Sequence, residues 1–94
     1  CQHTQLSHIV DRKYLFSHYL YQSGTSKSLK DYFAWLAAKT INESRVVNGT
    51  VLEIACNDGS QLNEFRKRGW NTIGVDPAQN LVDIAKSQGH TVYT

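Results

Sequence analysis

The spacing of apolar positions changes near residue 45. Up to about Arg45 the apolar and aromatic residues recur at three- and four-residue intervals. From Val46 onward, short β-branched runs alternate with amphipathic stretches. The first region predicts a helical arm over residues 1–45, and the second predicts an α/β unit over 46–94. In the arm, Asp11 can cap a short helix through Ser17, with Tyr14, Leu15 and His18 on one side. Gly24 and three hydroxyl residues make residues 19–26 a loop. A longer helix is expected from about Ser28, its N-cap, to Ser44, with Leu29, Phe33, Leu36, Ala37 and Ile41 as one apolar stripe.

After an Asn48-Gly49 turn, residues 50–55 read as a buried strand, because the run is short, largely apolar and bounded by turn signals. A helix follows from about Ser60 to Arg68, with Leu62 and Phe65 inward and Gly69 closing it. Residues 71–76 form a second strand closed by Pro77. A helix over about 78–88, with Leu81, Ile84 and Ala85 on one face, stops at Gly89, and residues 90–94 begin a third strand. The order strand-helix-strand-helix-strand predicts a parallel sheet with right-handed crossovers, the first part of a Rossmann-like α/β domain. The first strand then lies at an edge, and an edge of that kind invites pairing with another chain.

Composition narrows the function classes. With 94 residues, 40% hydrophobic and 19% charged, the chain is one domain or less and globular in character. The only tight basic run, Arg66-Lys67-Arg68, falls where a helix ends and suits its carbonyls, too small a footprint for nucleic acid. No apolar run is long enough to cross a bilayer. Two cysteines, Cys1 and Cys56, make no disulfide framework, so the cytoplasm is the expected compartment. Cys1 with His3 and His8 is too loosely spaced to read as a metal site. Cys56 reads as a small loop residue rather than a nucleophile, and His18 and His90 as ordinary helix and strand residues.

In a parallel α/β sheet, ligands bind beyond the carboxyl ends of the strands. At the first such end, small residues let a ligand approach the backbone, Gly59 can take positive φ, and Glu53, Asn57 and Asp58 supply acceptors. Asp76 ends the second strand 76 − 53 = 23 positions after Glu53, near the spacing of about 20 at which an acidic residue binds ribose hydroxyls. A dinucleotide fingerprint G-x-G-x-x-G would need glycine at 55, 57 and 60, where the chain has Ala55, Asn57 and Ser60. The methyltransferase pattern E-x-G-x-G-x-G finds Glu53 and Gly59, with Ala55 and Asn57 at its other glycine positions. Asp58 would repel a pyrophosphate but not a sulfonium cofactor.

The loop Glu53-Ile54-Ala55-Cys56-Asn57-Asp58-Gly59, followed by Gly74-Val75-Asp76-Pro77 and Asn80, resembles the first motifs of the sugar C-methyltransferases that act on nucleotide-linked deoxysugars. Upstream, Cys1, Gln5 and Leu6, then residues 15–26 with Leu15, Phe16, Tyr19, Tyr21, Ser23, Gly24 and Ser26, resemble the arm of that group. The resemblance implies S-adenosyl-L-methionine as cofactor, with Glu53, Ala55, Asn57, Asp58, Gly59, Asp76, Pro77 and Asn80 around it and Asp76 on the ribose. It implies that Tyr21 and Ser23 fold over the cofactor toward a nucleotide-sugar substrate, Tyr21 being the candidate for a catalytic part. Cys1 would be the last of four zinc-binding cysteines of a preceding module. Since the group places its general base and sugar-binding residues further along, a chain ending at Thr94 is expected to be inactive alone. Three rivals are a nicotinamide-dinucleotide half-domain, a noncatalytic interaction module using the 28–44 helix as its contact face, and a remnant that does not fold.

Overall fold

A computed structural model describes residues 2–94; Cys1, and with it the expectation of a zinc module, lies outside the described residues. The elements are α1 (Arg12–Phe16), a single 3-10 turn (Ser23–Thr25), α2 (Lys27–Ser44), β1 (Thr50–Ile54), α3 (Ser60–Arg66), β2 (Asn71–Val75), α4 (Gln79–Ser87) and β3 (Thr91–Tyr93). The expected alternation is therefore realised. The strands pair in parallel in the order β1-β2-β3, with Thr50 opposite Asn71, Ile54 opposite Val75 and Gly74 opposite Val92.

Several boundaries differ from expectation. Asp11 does cap α1, accepting the Lys13 amide at 2.7 Å, but the helix ends at Phe16 and leaves His18 outside it. The N-cap of α2 is Ser26, not Ser28. The amide of Ser26 closes the 3-10 turn on the Ser23 carbonyl, which leaves Ser26 extended, and its hydroxyl accepts the Leu29 amide at 3.4 Å. Helix α3 stops at Arg66 rather than Arg68, because the Arg68 amide tightens onto the Phe65 carbonyl and Gly69, at φ 82°, turns the chain away. Ala55 lies beyond β1, and His90 precedes β3.

The α2 stripe is placed as expected: Ala37 is buried and Leu29, Phe33, Leu36 and Ile41 are half-buried, with α2 packed on α3. A stripe already used inside the fold is not a free contact face. On the sheet, Val51 joins a core of Cys56, Leu62, Val82, Ala85 and Val92 under α3 and α4. Successive strands in one direction with right-handed crossovers put both helices on the same face. The other face, with Leu52, Ile54 and Tyr93, is exposed, and β1 and β3 are the edges of the sheet among the described residues. Among the described residues no helix is long and apolar enough to cross a membrane.

Candidate cofactor site

The segment 55–59 leaves β1 and crosses the carboxyl end of β2. Its first anchor is the Cys56 amide, which donates to the Val75 carbonyl at 3.1 Å, and its second is the Gly59 amide on the Cys56 carbonyl at 3.0 Å. Ala55, Asn57 and Gly59 have φ of 60°, 51° and 79°. These are the three glycine positions of the E-x-G-x-G-x-G pattern, so the pattern answers a repeated left-handed backbone. Asn tolerates that conformation; Ala adopts it at a cost of about 1 kcal/mol.

Asp76, only 6% exposed, holds the two strand ends together. One carboxylate oxygen accepts the Asn57 amide and the other the Ala78 amide, both at 2.9 Å, so it ties the loop to the start of α4. Asp58, 4% exposed, accepts the Ser60 amide at 3.1 Å and the Gly24 amide at 2.8 Å.

That second bond belongs to a series in which the loop grips the arm by its backbone. Asn57 accepts the Ser23 amide and donates to the Tyr21 carbonyl, each at 3.0 Å. Asn80 accepts the Tyr19 amide at 3.2 Å and donates to the Tyr19 carbonyl at 2.8 Å. Residues 19–24 are thus strapped across the loop. A Cβ at Gly24 would come within 2.5 Å of Ser60 Oγ and 2.8 Å of Asp58 Oδ2, so a larger residue there would have to turn the Ser60 hydroxyl away and displace the carboxylate that holds the Gly24 amide.

Under the strap lies a cavity of about 340 Å³ lined by Phe16, Tyr19, Tyr21, Ser23, Ala55, Asn57, Asp76 and Pro77. Six expected site residues, Tyr21, Ser23, Ala55, Asn57, Asp76 and Pro77, meet there. Glu53, Asp58, Asn80 and Gly59 do not line it: Glu53 lies within β1, Asp58 and Asn80 hold the strap, and Gly59 lies against Ala85 and His90. Phe16 and Tyr19 complete the wall. Their signal is the aromatic spacing of the arm, in which Tyr19 and Tyr21 alternate after Phe16. A larger hollow of about 580 Å³ opens on the far side of the strap, among charged side chains of α2 and α3, and excludes Ala55, Asn57 and Asp76.

Glu53 stands at the end of β1 with one carboxylate oxygen, Oε2, buried and without a hydrogen-bond partner among the described residues. Burial first, then the charges of Asp58 and Asp76, push its carboxyl up from 4.5 to about 7. Burial first, then the charges of Glu53, Asp76 and Asp58, push the Cys56 thiol up to about 11, so at neutral pH it is a protonated packing group rather than a nucleophile.

The chain is 31% identical over 90 residues to the C-methyltransferase NovU of Streptomyces niveus, a match that spans 95% of this chain and 21% of that protein. No family model matches. In fold it is similar to the crystal structure of Streptomyces venezuelae DesVI, with a TM-score of 0.58 and 20% identity over 73% of this chain and 30% of that one. The chain therefore spans about a fifth of its curated relative and carries three parallel strands of a Rossmann-like sheet. The likeness in sequence is thus to a stretch of a C-methyltransferase and the likeness in fold to a part of DesVI, each over a fraction of that protein's length.

Proposed function

We propose that the chain binds S-adenosyl-L-methionine beneath the strap, and that the complete protein uses it to methylate a carbon of a nucleotide-linked deoxysugar. The observation that carries this reading is the buried, unpaired Glu53 oxygen in the field of Asp58 and Asp76. Three carboxylates gathered at one loop suit a ligand bearing positive charge, and the cofactor has a sulfonium and an ammonium. Two phosphates of a dinucleotide would meet the same carboxylates as repulsion.

The residues fit the cofactor as follows. Ala55 and Asn57 give it a close backbone, and Asp76, whose oxygens each keep a free lone pair, accepts ribose hydroxyls. Pro77, Phe16 and Tyr19 supply apolar wall, Tyr21 and Ser23 face the cavity from the strap, and the Glu53 carboxyl, which stands outside the lining, draws the ammonium by its charge. When bound, the cofactor supplies an electrophilic methyl group. Tyr21 is the residue of this chain assigned to contact with the acceptor.

Calorimetric titration of S-adenosylhomocysteine and of NAD into the folded chain tests the reading. Micromolar affinity for the first and none for the second is expected, with at least a tenfold loss in Asp76→Ala. A folded chain that takes up no S-adenosylhomocysteine overturns it.

A further inference from the structure

Behind the loop, on the side away from the cavity, is a group to which the cofactor reading gives no part. His90 is 5% exposed and its ring lies under Gly59, where an added Cβ would sit 2.9 Å from the imidazole Cδ2. Nδ1 is 2.7 Å from Thr72 Oγ1 and Nε2 is 2.9 Å from Asn63 Oδ1. Asn63 donates through Nδ2 to Gln88 Oε1, and Gln88 Nε2 donates at 2.9 Å to the main-chain carbonyl of Asp58.

The last bond fixes the directions as far as the imidazole Nε2, and a neutral ring fixes the one to Thr72. A carbonyl only accepts, so Gln88 must donate to it and accept from Asn63. Asn63 must then accept from the imidazole, which places the proton on Nε2 and leaves Nδ1 to accept the Thr72 hydroxyl. The relay runs one way, from β2 through His90, α3 and the end of α4, and finishes on the residue whose side chain holds the strap at Gly24. Burial, then the nearby Arg66 guanidinium, hold the imidazole below its usual range, in keeping with the neutral ring this direction needs.

We propose that His90 is a positioning residue of the cofactor site, setting the Asp58-Gly59 backbone from behind through the Asn63 and Gln88 side chains. It rests on the cofactor reading only for its effect on affinity; its effect on the loop is independent of any ligand. Amide hydrogen exchange at Gly59, whose N–H donates to the Cys56 carbonyl, reads the loop in the free chain.

His90→Phe keeps a ring under Gly59 but removes the donor, and Gln88→Leu cuts the last link from a half-buried position if the His90 variant fails to fold. Each is expected to speed Gly59 exchange about tenfold. The double variant should be no faster, since the two residues act as one unit, and His90→Gln, which restores a donor, should recover most of the protection. Affinity for S-adenosylhomocysteine should fall in parallel. Unchanged exchange, additive single effects, or no recovery in His90→Gln would each overturn the relay. A wild-type chain with the exchange pattern intact and no affinity for S-adenosylhomocysteine would overturn the cofactor reading and leave the loop coupling standing.

Discussion

The two faces of the sheet carry similar side chains in different surroundings. On one, Val51, Thr72, Gly74 and Val92 lie beneath α3 and α4, continuous with Leu62, Val82 and Ala85. On the other, Leu52, Ile54 and Tyr93 are 59%, 80% and 60% exposed. Parallel strands are apolar on both faces because both are ordinarily covered. In these residues the order of elements sends both crossover helices to the same side, so strand composition marks a face as fit for burial while topology decides which face is buried.

The largest test of that contrast is Leu62→Ala on the covered face. Leu62 is fully buried, and its truncation should cost about 3 kcal/mol, a large share of what a domain of this size has. Urea denaturation measures it; a loss below about 1 kcal/mol would mean that the covered face is not the core.

Next in size is the charge set into that face. Glu53 titrates at about 7 in the folded chain against 4.5 ordinarily. Between those values the folded chain keeps a proton that the unfolded chain has released. The group's contribution to stability is therefore full below pH 4.5 and is lost as pH rises through 7. Glu53→Gln should stabilise the chain by about 2 kcal/mol at pH 8, after allowance for the group's partial exposure, and by almost nothing at pH 4. Denaturation midpoints of both proteins at the two pH values give the difference, and comparing the pair cancels the opposite contribution of His90. Ala55, where β1 leaves the sheet, comes third: Ala55→Gly relieves its positive φ and should raise stability by about 0.5 kcal/mol, with unchanged or tighter cofactor binding. The smallest effect belongs to the bare face, where Ile54→Ser should change stability by less than about 0.5 kcal/mol. A larger loss, read from the same urea curves, would mean that this face is covered in solution.

Much of this was legible in local signals. The alternation of elements followed from periodicity and from Gly69 and Gly89, both of which take positive φ. The cap of α2 was misplaced by two residues because Ser26 and Ser28 offer the same hydroxyl, and the preceding 3-10 turn decides between them. Val82 joins the core outside the expected face of Leu81, Ile84 and Ala85, because α4 buries two adjacent positions, 81 and 82. That the arm lies over the loop was legible through the resemblance at Tyr21 and Ser23, but the bonds that hold it were not: Asn57, Asp58 and Asn80 have just the acceptors and donors a ligand would want, and nothing local says that backbone 34 to 61 residues away takes them. The left-handed turn at Ala55 carried no signal of its own, since alanine is what that conformation disfavours.

The way the strap is held has a consequence for variation. Asn57, Asp58 and Asn80 recognise only peptide groups of residues 19–24, whereas the rings of Tyr19 and Tyr21 are left to furnish the wall of the cavity. Attachment and lining are thereby written in different atoms of the same segment. The lining can be rewritten, one aromatic for another or for a polar residue, without loosening the attachment. Gly24 is the exception, a position where a side chain would press on the Asp58 carboxylate that holds the strap.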